Sequence, residues 1–108
     1  MSDELYRVTY SPKAYADIAS IKKYIKYDLK NEVAAKSIIN LIENKINSLD
    51  YSPKRFQEIN MVYKNNSVRR MPIKKYNVFY SVDDINKSVT VLRIAYGGAN
   101  INQLAILD

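Results

Sequence analysis

The chain has 108 residues, a formal net charge of +6, and neither cysteine nor histidine. Disulfides, thiolate nucleophiles, imidazole bases and the usual zinc sites are therefore excluded by composition; a metal would need carboxylates and carbonyls alone, and no cofactor is expected. With no linker-like stretch, no basic-then-apolar leader and no apolar run near the roughly 18 residues of a spanning helix, the expectation is one cytoplasmic domain over residues 1–108.

In chain order, Tyr6, Val8 and Tyr10 alternate with Arg7, Thr9 and Ser11, the pattern of a strand with one buried face. Ser11-Pro12 then supplies an N-cap and a first-turn proline, and Ala14, Ile18, Ile21, Ile25 and Leu29 recur at spacings of three and four, predicting a helix with one apolar stripe. A second stripe of Ala35, Ile38, Ile39, Ile42, Ile46 and Leu49 follows Lys30-Asn31-Glu32 and stops before Ser52-Pro53. So short a joint predicts an antiparallel helical hairpin. Such stripes are far more often core than binding site, so their task is to cover a sheet.

A short strand is expected over Ile59–Tyr63, with Lys64 to Ser67 as a turn. Val68 to Lys74 has strand character but contains Pro72, which requires a bulge or an amide turned away from a neighbour. Val78–Val82 and Val89–Ile94 flank the turn-forming segment 83–87 and predict an antiparallel hairpin. Gly97-Gly98 ends the last strand, and Asn100 is placed to cap a short helix over Ile101–Leu107. The predicted fold class is α+β, a helical hairpin packed on a small antiparallel sheet, in the order β-α-α-β-β-β with that short C-terminal helix. Ile18, Ile21, Ile25, Ile38, Ile42, Ile46 and Phe79 are the expected core.

Charge is uneven along the chain. No acid occurs from Ile59 to Val82, whereas Lys64, Arg69, Arg70, Lys74 and Lys75 all fall there, a field that favours an anionic partner or simply keeps a small protein soluble. Arg69 and Arg70 are strand neighbours and point to opposite faces. Alternation puts Arg69 with Met71 and Ile73, as a residue reaching past the core, and leaves Arg70 and Lys74 on an open basic surface. Lys74-Lys75 also reads as a solvated turn. Arg93 alternates with Val91 and Ala95 and is either paired with a carboxylate or placed to meet a ligand. Of ten tyrosines, Tyr96 stands out because it ends the last strand beside two glycines; target contact and packing are both open for it.

Taken together, Tyr6 to Ala14 with Asp17-Ile18, Tyr24-Ile25, Ala35, Leu49, the run Val68 to Tyr76, Val78-Phe79-Tyr80 and Val91 to Ile94 resemble the RelE/ParE family of toxins from type II toxin–antitoxin systems. The resemblance covers nearly the whole chain. It implies a small basic protein that arrests growth when free and is neutralised by a cognate antitoxin protein. It also implies one of two targets: messenger RNA on the ribosome for RelE-like nucleases, DNA gyrase for ParE-like members. Where RelE-like nucleases place an arginine after the strand tyrosine this chain has Asn77, and after Gly97 it has Gly98 and Ala99 instead of basic residues. A neutral amide cannot supply the charge that stabilises a transition state. The ParE-like branch is therefore preferred, with Arg69, Arg70, Lys74, Lys75, Arg93 and Tyr96 as candidate target-binding residues. The alternatives are a ribosome-dependent endonuclease using Arg70, Lys74, Arg93 and Tyr96 as catalytic residues, and a degenerate member that binds an antitoxin without toxicity.

Overall fold

The structure, a computed structural model, describes residues 5–99. The expected helix over Ile101–Leu107 and its cap Asn100 lie outside the described residues. Strand β1 (Arg7–Tyr10) leads directly into helix α1 (Pro12–Lys23). Ser11 joins them: its hydroxyl accepts from the Ala14 amide at 3.1 Å and donates to the Leu92 carbonyl at 3.0 Å, so the cap also ties α1 to the last strand. α1 continues through a π-helical turn, Tyr24–Asp28, and Lys30 at φ 52° reverses the chain. Helix α2 (Glu32–Asn47) starts at Asn31, whose side chain accepts from the Ala34 amide at 3.0 Å.

After two 3₁₀ turns, Ser48–Asp50 and Pro53–Arg55, four strands meander: β2 (Gln57–Tyr63), β3 (Asn66–Ile73), β4 (Tyr76–Asp83) and β5 (Ser88–Tyr96). The sheet order is β1-β5-β4-β3-β2. The meander is antiparallel, as expected, but it returns β5 alongside β1 in the same direction, so the five-stranded sheet is mixed, with β1 parallel to β5. Lys64 and Asn65, both at positive φ, make the two-residue β2–β3 turn. Pro72 pairs with Asn77 on β4, and β2 begins only opposite Arg70, so the missing donor interrupts no second ladder.

The helical hairpin covers one face of this sheet. Ala14, Ile42, Ile46 and Leu49 pack on Met71, Ile73, Val78, Tyr80, Val89, Val91 and Ile94, with Ile18, Ile21 and Ile38 half-buried at the margin. Ile25 is buried too. Phe79 is buried as expected but on the opposite face, in a second cluster with Val68, Leu92 and Ala95, flanked by Ile59, Met61 and Tyr63. The flanking residues come from β2, which takes four steps from Glu58 to Val62 while β3 takes two from Arg69 to Ser67, an irregularity in the edge strand.

Two expectations fail for local geometric reasons. Leu29, which continues the α1 stripe in sequence, is 58% exposed. The π turn closes with the Leu29 amide on the Tyr24 carbonyl at 3.2 Å, one residue longer than an α turn, which rotates Leu29 off the buried face. Arg93 does not alternate with Val91 and Ala95. Phe79 pairs with Arg93 but Tyr80 pairs with Val91, so Leu92 is an inserted residue, and Val91 and Ala95 belong to opposite faces. No helix among the described residues is long and apolar enough to cross a membrane.

Candidate functional site

The arginines predicted to face a target divide into two kinds. Arg69 is held on the helix-covered side, as alternation required. Its guanidinium donates to the carbonyls of Lys54 at 3.0 Å and Phe56 at 2.7 Å and pairs with Glu58 at 2.9 Å. The neighbouring Tyr80 hydroxyl donates to the Pro53 carbonyl at 2.6 Å. Together they fasten the loop between α2 and β2 to the sheet.

Arg93 is held as tightly. It meets Asp17 on α1 in a two-pronged pair, Nε to Oδ2 at 2.7 Å and Nη2 to Oδ1 at 2.9 Å, and Oδ2 also accepts from the Ile94 amide at 2.8 Å. The Asp17 hydrogen bond raises the Arg93 pKa further above its ordinary value. Beyond Val91 the β1 pairing has ended, and Asp17 takes over the exposed edge of β5. Of the two uses open to a mid-strand arginine, the carboxylate partner is the one realised.

Arg70 is different. It is exposed, on the side of the sheet away from the helices, in register with Phe79 and Gln57, and its side chain forms no hydrogen bond or ion pair among the described residues. Lys74 and Lys75 make the tight β3–β4 turn, both exposed, with Lys74 at φ 55° in the left-handed region. That turn adjoins the end of β5: Tyr96 pairs with Tyr76, and the Gly97 amide donates to the Lys75 carbonyl at 2.6 Å. A Cβ at Gly97 would stand 3.1 Å from that carbonyl, so the close approach favours glycine. The structure therefore gathers Lys74, Lys75 and Tyr96 at one end of the sheet and leaves Arg70 part-way along β3. Asn77 is half-buried on β4 in register with Ala95, so no cation occupies that place.

A surface feature was missed from the sequence. Two apolar grooves flank Tyr76, one of about 400 Å³ lined by Ser20, Ile21, Tyr24, Tyr76 and Tyr96, the other of about 380 Å³ lined by Ile25, Leu29, Ala34, Ile38, Lys74, Lys75 and Tyr76. Tyr76 and Tyr96 meet edge to face at 5.9 Å. Burial pushes the Tyr76 hydroxyl pKa up, and nearby Tyr24 and Tyr96 add to it. Tyr24 and Tyr96 are 51% and 59% exposed. The π turn is what brings Tyr24, Ile25 and Leu29 to this surface. It leaves no trace in the sequence, where Leu29 continues the stripe at regular spacing.

A family model described as the ParE toxin of the type II toxin–antitoxin system parDE matches residues 8–101. The chain belongs to the ParE toxin family. The fold agrees with this. Similar solved structures include a chromosomal ParDE system from P. aeruginosa, with a TM-score of 0.69 at 17% identity over 86% of this chain and 97% of that one. An archaeal RelE–RelB complex from Pyrococcus horikoshii has a TM-score of 0.61 at 19% identity, over 89% and 99%. The toxin–antitoxin complex RelBE2 from Mycobacterium tuberculosis has a TM-score of 0.58 at 16% identity, over 88% and 94%. No curated protein sequence matches the chain. In this ParE family chain, the apolar grooves, the side chains of the lysine turn and Arg70 are exposed features of the sheet that carry no internal contact among the described residues.

Proposed function

We propose that this ParE family chain is the cytoplasmic toxin of a type II toxin–antitoxin module and that it acts by binding, inhibiting DNA gyrase and so blocking replication, rather than by cleaving RNA. The observation that carries the choice is the Asp17–Arg93 pair. Cleavage needs preorganised cations at the scissile phosphate and groups to move protons. Arg69 and Arg93 are spent on Glu58 and Asp17, Asn77 is neutral, and Arg70 lies away from the Lys74–Tyr96 end. What remains exposed suits a contact surface: Arg70, Lys74 and Lys75 as cations, and Tyr96 as an aromatic anchor.

The grooves beside Tyr76 fit the second partner, an antitoxin. Their apolar floor and the Lys74-Lys75 rim match an amphipathic segment with acidic flanks that folds on docking. Induction of the chain without its antitoxin is expected to stop replication and leave transcripts intact, with Arg70→Ala or Tyr96→Ala relieving the arrest. Primer extension on messenger RNA decides between the mechanisms. Codon-phased cuts that vanish in Arg70→Ala would establish an endonuclease, and absence of any arrest would establish a degenerate, antitoxin-binding member.

A further inference from the structure

The helical layer carries a charged surface that neither the core nor the toxin reading uses. On α1 the outward row is Pro12, Tyr15, Ala16, Ala19, Lys22 and Lys23; on α2 it is Lys36, Ser37, Asn40, Asn44 and Asn47, all exposed. The opposite rows hold the buried Ala14, Ile25, Ala35, Ile39, Ile42 and Ile46, so the two outward rows form one continuous surface facing away from the sheet.

Acids are kept off its shaft. Asp17 is turned to Arg93 and the Ile94 amide. Glu43 is half-buried beside Tyr10 and helps push the pKa of that hydroxyl up. Asp28 and Glu32 sit at the far tip, where Glu32 meets Lys26 at 3.3 Å. The side chains of Lys22, Lys23 and Lys36 form no hydrogen bond or ion pair among the described residues. Lysines without internal counter-charges, interspersed with serine and asparagine, are the donors that grip a phosphate backbone.

We infer that the outward face of the α1–α2 hairpin is a docking surface for the sugar–phosphate backbone of duplex DNA. A protein partner would need an apolar centre with large anchors, whereas the centre of this face is Ala16, Ala19, Ser37, Asn40 and Asn44. Single strands bind by stacking bases on open aromatic rings. Here Tyr15 is already stacked on Tyr10 at 5.0 Å, and Tyr27 lies beneath the Lys26 ammonium at 5.3 Å. The small side chains of Ala16 and Ala19 let a backbone approach between the lysines. This surface is on the layer opposite Arg70, so a chain held to DNA by its helices keeps its sheet free for a protein that works on the same DNA. The inference goes beyond the toxin reading and does not depend on it, because binding is measured on the isolated chain whether or not the chain is toxic.

The test is fluorescence anisotropy of the full chain with a labelled duplex of about 20 base pairs, and with one of its single strands, between about 50 and 200 mM salt. The duplex is expected to bind more tightly than the single strand, with log affinity falling against log salt by about 0.9 per phosphate neutralised. Lys22→Glu/Lys23→Glu/Lys36→Glu should weaken binding by at least about tenfold and flatten that slope, with the Gln counterparts intermediate, while Arg70→Ala leaves both unchanged. Circular dichroism checks that the variants fold, which exposed positions favour. Absence of saturable binding at low salt, tighter binding of the single strand, an unaffected triple variant, or equal loss in Arg70→Ala would each overturn the assignment.

Discussion

The two ends of the sheet are built from similar residues, tyrosine and lysine above all, and use them in opposite ways. Where β1 begins and β4 turns into β5, the Tyr6 hydroxyl and the Lys54 ammonium both reach Asp84 at 2.7 Å. Asp83 closes the turn by accepting from the Ile85 and Asn86 amides at 3.0 Å, and Lys87 lies over the Tyr6 ring at 5.1 Å. Nearby, Arg69 and Tyr80 pin the loop from Lys54 to Glu58. At the other end, among the described residues, Tyr24, Tyr76 and Tyr96 show rings rather than engaged hydroxyls, and Lys74 and Lys75 have no carboxylate partner. The difference follows from where the acids lie in sequence. Glu58, Asp83 and Asp84 converge on the first end, whereas the β3–β4 turn at the second falls in the middle of the acid-free stretch from Ile59 to Val82. A lysine near a tyrosine is structural where a carboxylate completes the set, and available for a partner where none does.

The comparison supposes a common core beneath both ends, and the largest expected effect tests that. Ile42 is fully buried in the helix-to-sheet layer. Ile42→Ala should destabilise by about 2–5 kcal/mol in urea unfolding, the usual range for a large-to-small core change. A loss below about half a kilocalorie would mean that α2 does not cover the sheet and that the ends are not joined through it.

The next effect comes chiefly from the locked end. Tyr80 is fully buried, its hydroxyl is on the Pro53 carbonyl, and burial pushes its pKa from 10.0 to about 12. A phenol whose pKa is higher folded than unfolded contributes stability that is complete below the unfolded value and is lost as pH rises toward the folded one. Stability should therefore fall between about pH 10 and 12, by about 2–3 kcal/mol from this group. Tyr10, raised likewise to about 12 by burial and by nearby Glu43 and Tyr15, adds to the fall. Tyr80→Phe should start lower, having lost the hydrogen bond, but decline less over that interval. An alkaline limb identical to that of the parent would show that Tyr80 is not held as described.

At the open end the expectation reverses. Tyr24→Ala and Tyr96→Ala remove exposed rings and should shift stability by little, within about 0.5 kcal/mol. Yet each should weaken the complex with the product of a neighbouring antitoxin gene by tenfold or more, as loss of an aromatic anchor does. Calorimetry on the purified pair measures it. Variants that unfold, or that bind undiminished, would make this end structural like the other.

Much of this division was legible in the sequence and some was not. The stripes of α1 and α2 placed Ile42 and Ile46 correctly because helical periodicity is a local signal repeated over several turns. Alternation along β3 separated Arg69 from Arg70. The failures come from single-residue irregularities with no compositional mark: the π turn that exposes Leu29, and the inserted Leu92 that breaks the phase of Arg93. The partner of Arg93 was equally hidden. Asp17 lies in α1, far away in sequence, and only the parallel docking of β1 on β5 brings them together. Hence the fold could be read from repeated patterns. The candidate site could not, because which cations are spent depends on long-range pairing.

The smallest expected effect sharpens the comparison at the locked end from the acid side. The hydrogen bond from Lys54, and then that from Tyr6, holds the Asp84 carboxyl below its ordinary pKa. A carboxylate depressed in the folded state contributes stability that is present above the unfolded pKa and disappears as pH falls through the folded value. The acid limb of the melting curve should therefore steepen below the ordinary carboxylate range. The pair is about half exposed, so water and salt screen it, and the effect should be slight and should shrink as salt is added. Asp84→Asn, which keeps an acceptor but no charge, should remove the salt-sensitive part of that limb without altering melting at high salt. Lys74→Gln at the open end, where no carboxylate waits, should leave the acid limb as it is. If the two variants titrate alike, the distinction between completed and uncompleted lysines is wrong. If they part only below the carboxylate range and only at low salt, the distinction holds in its electrostatic form, because a charge already answered within the fold is the one that acid can take away.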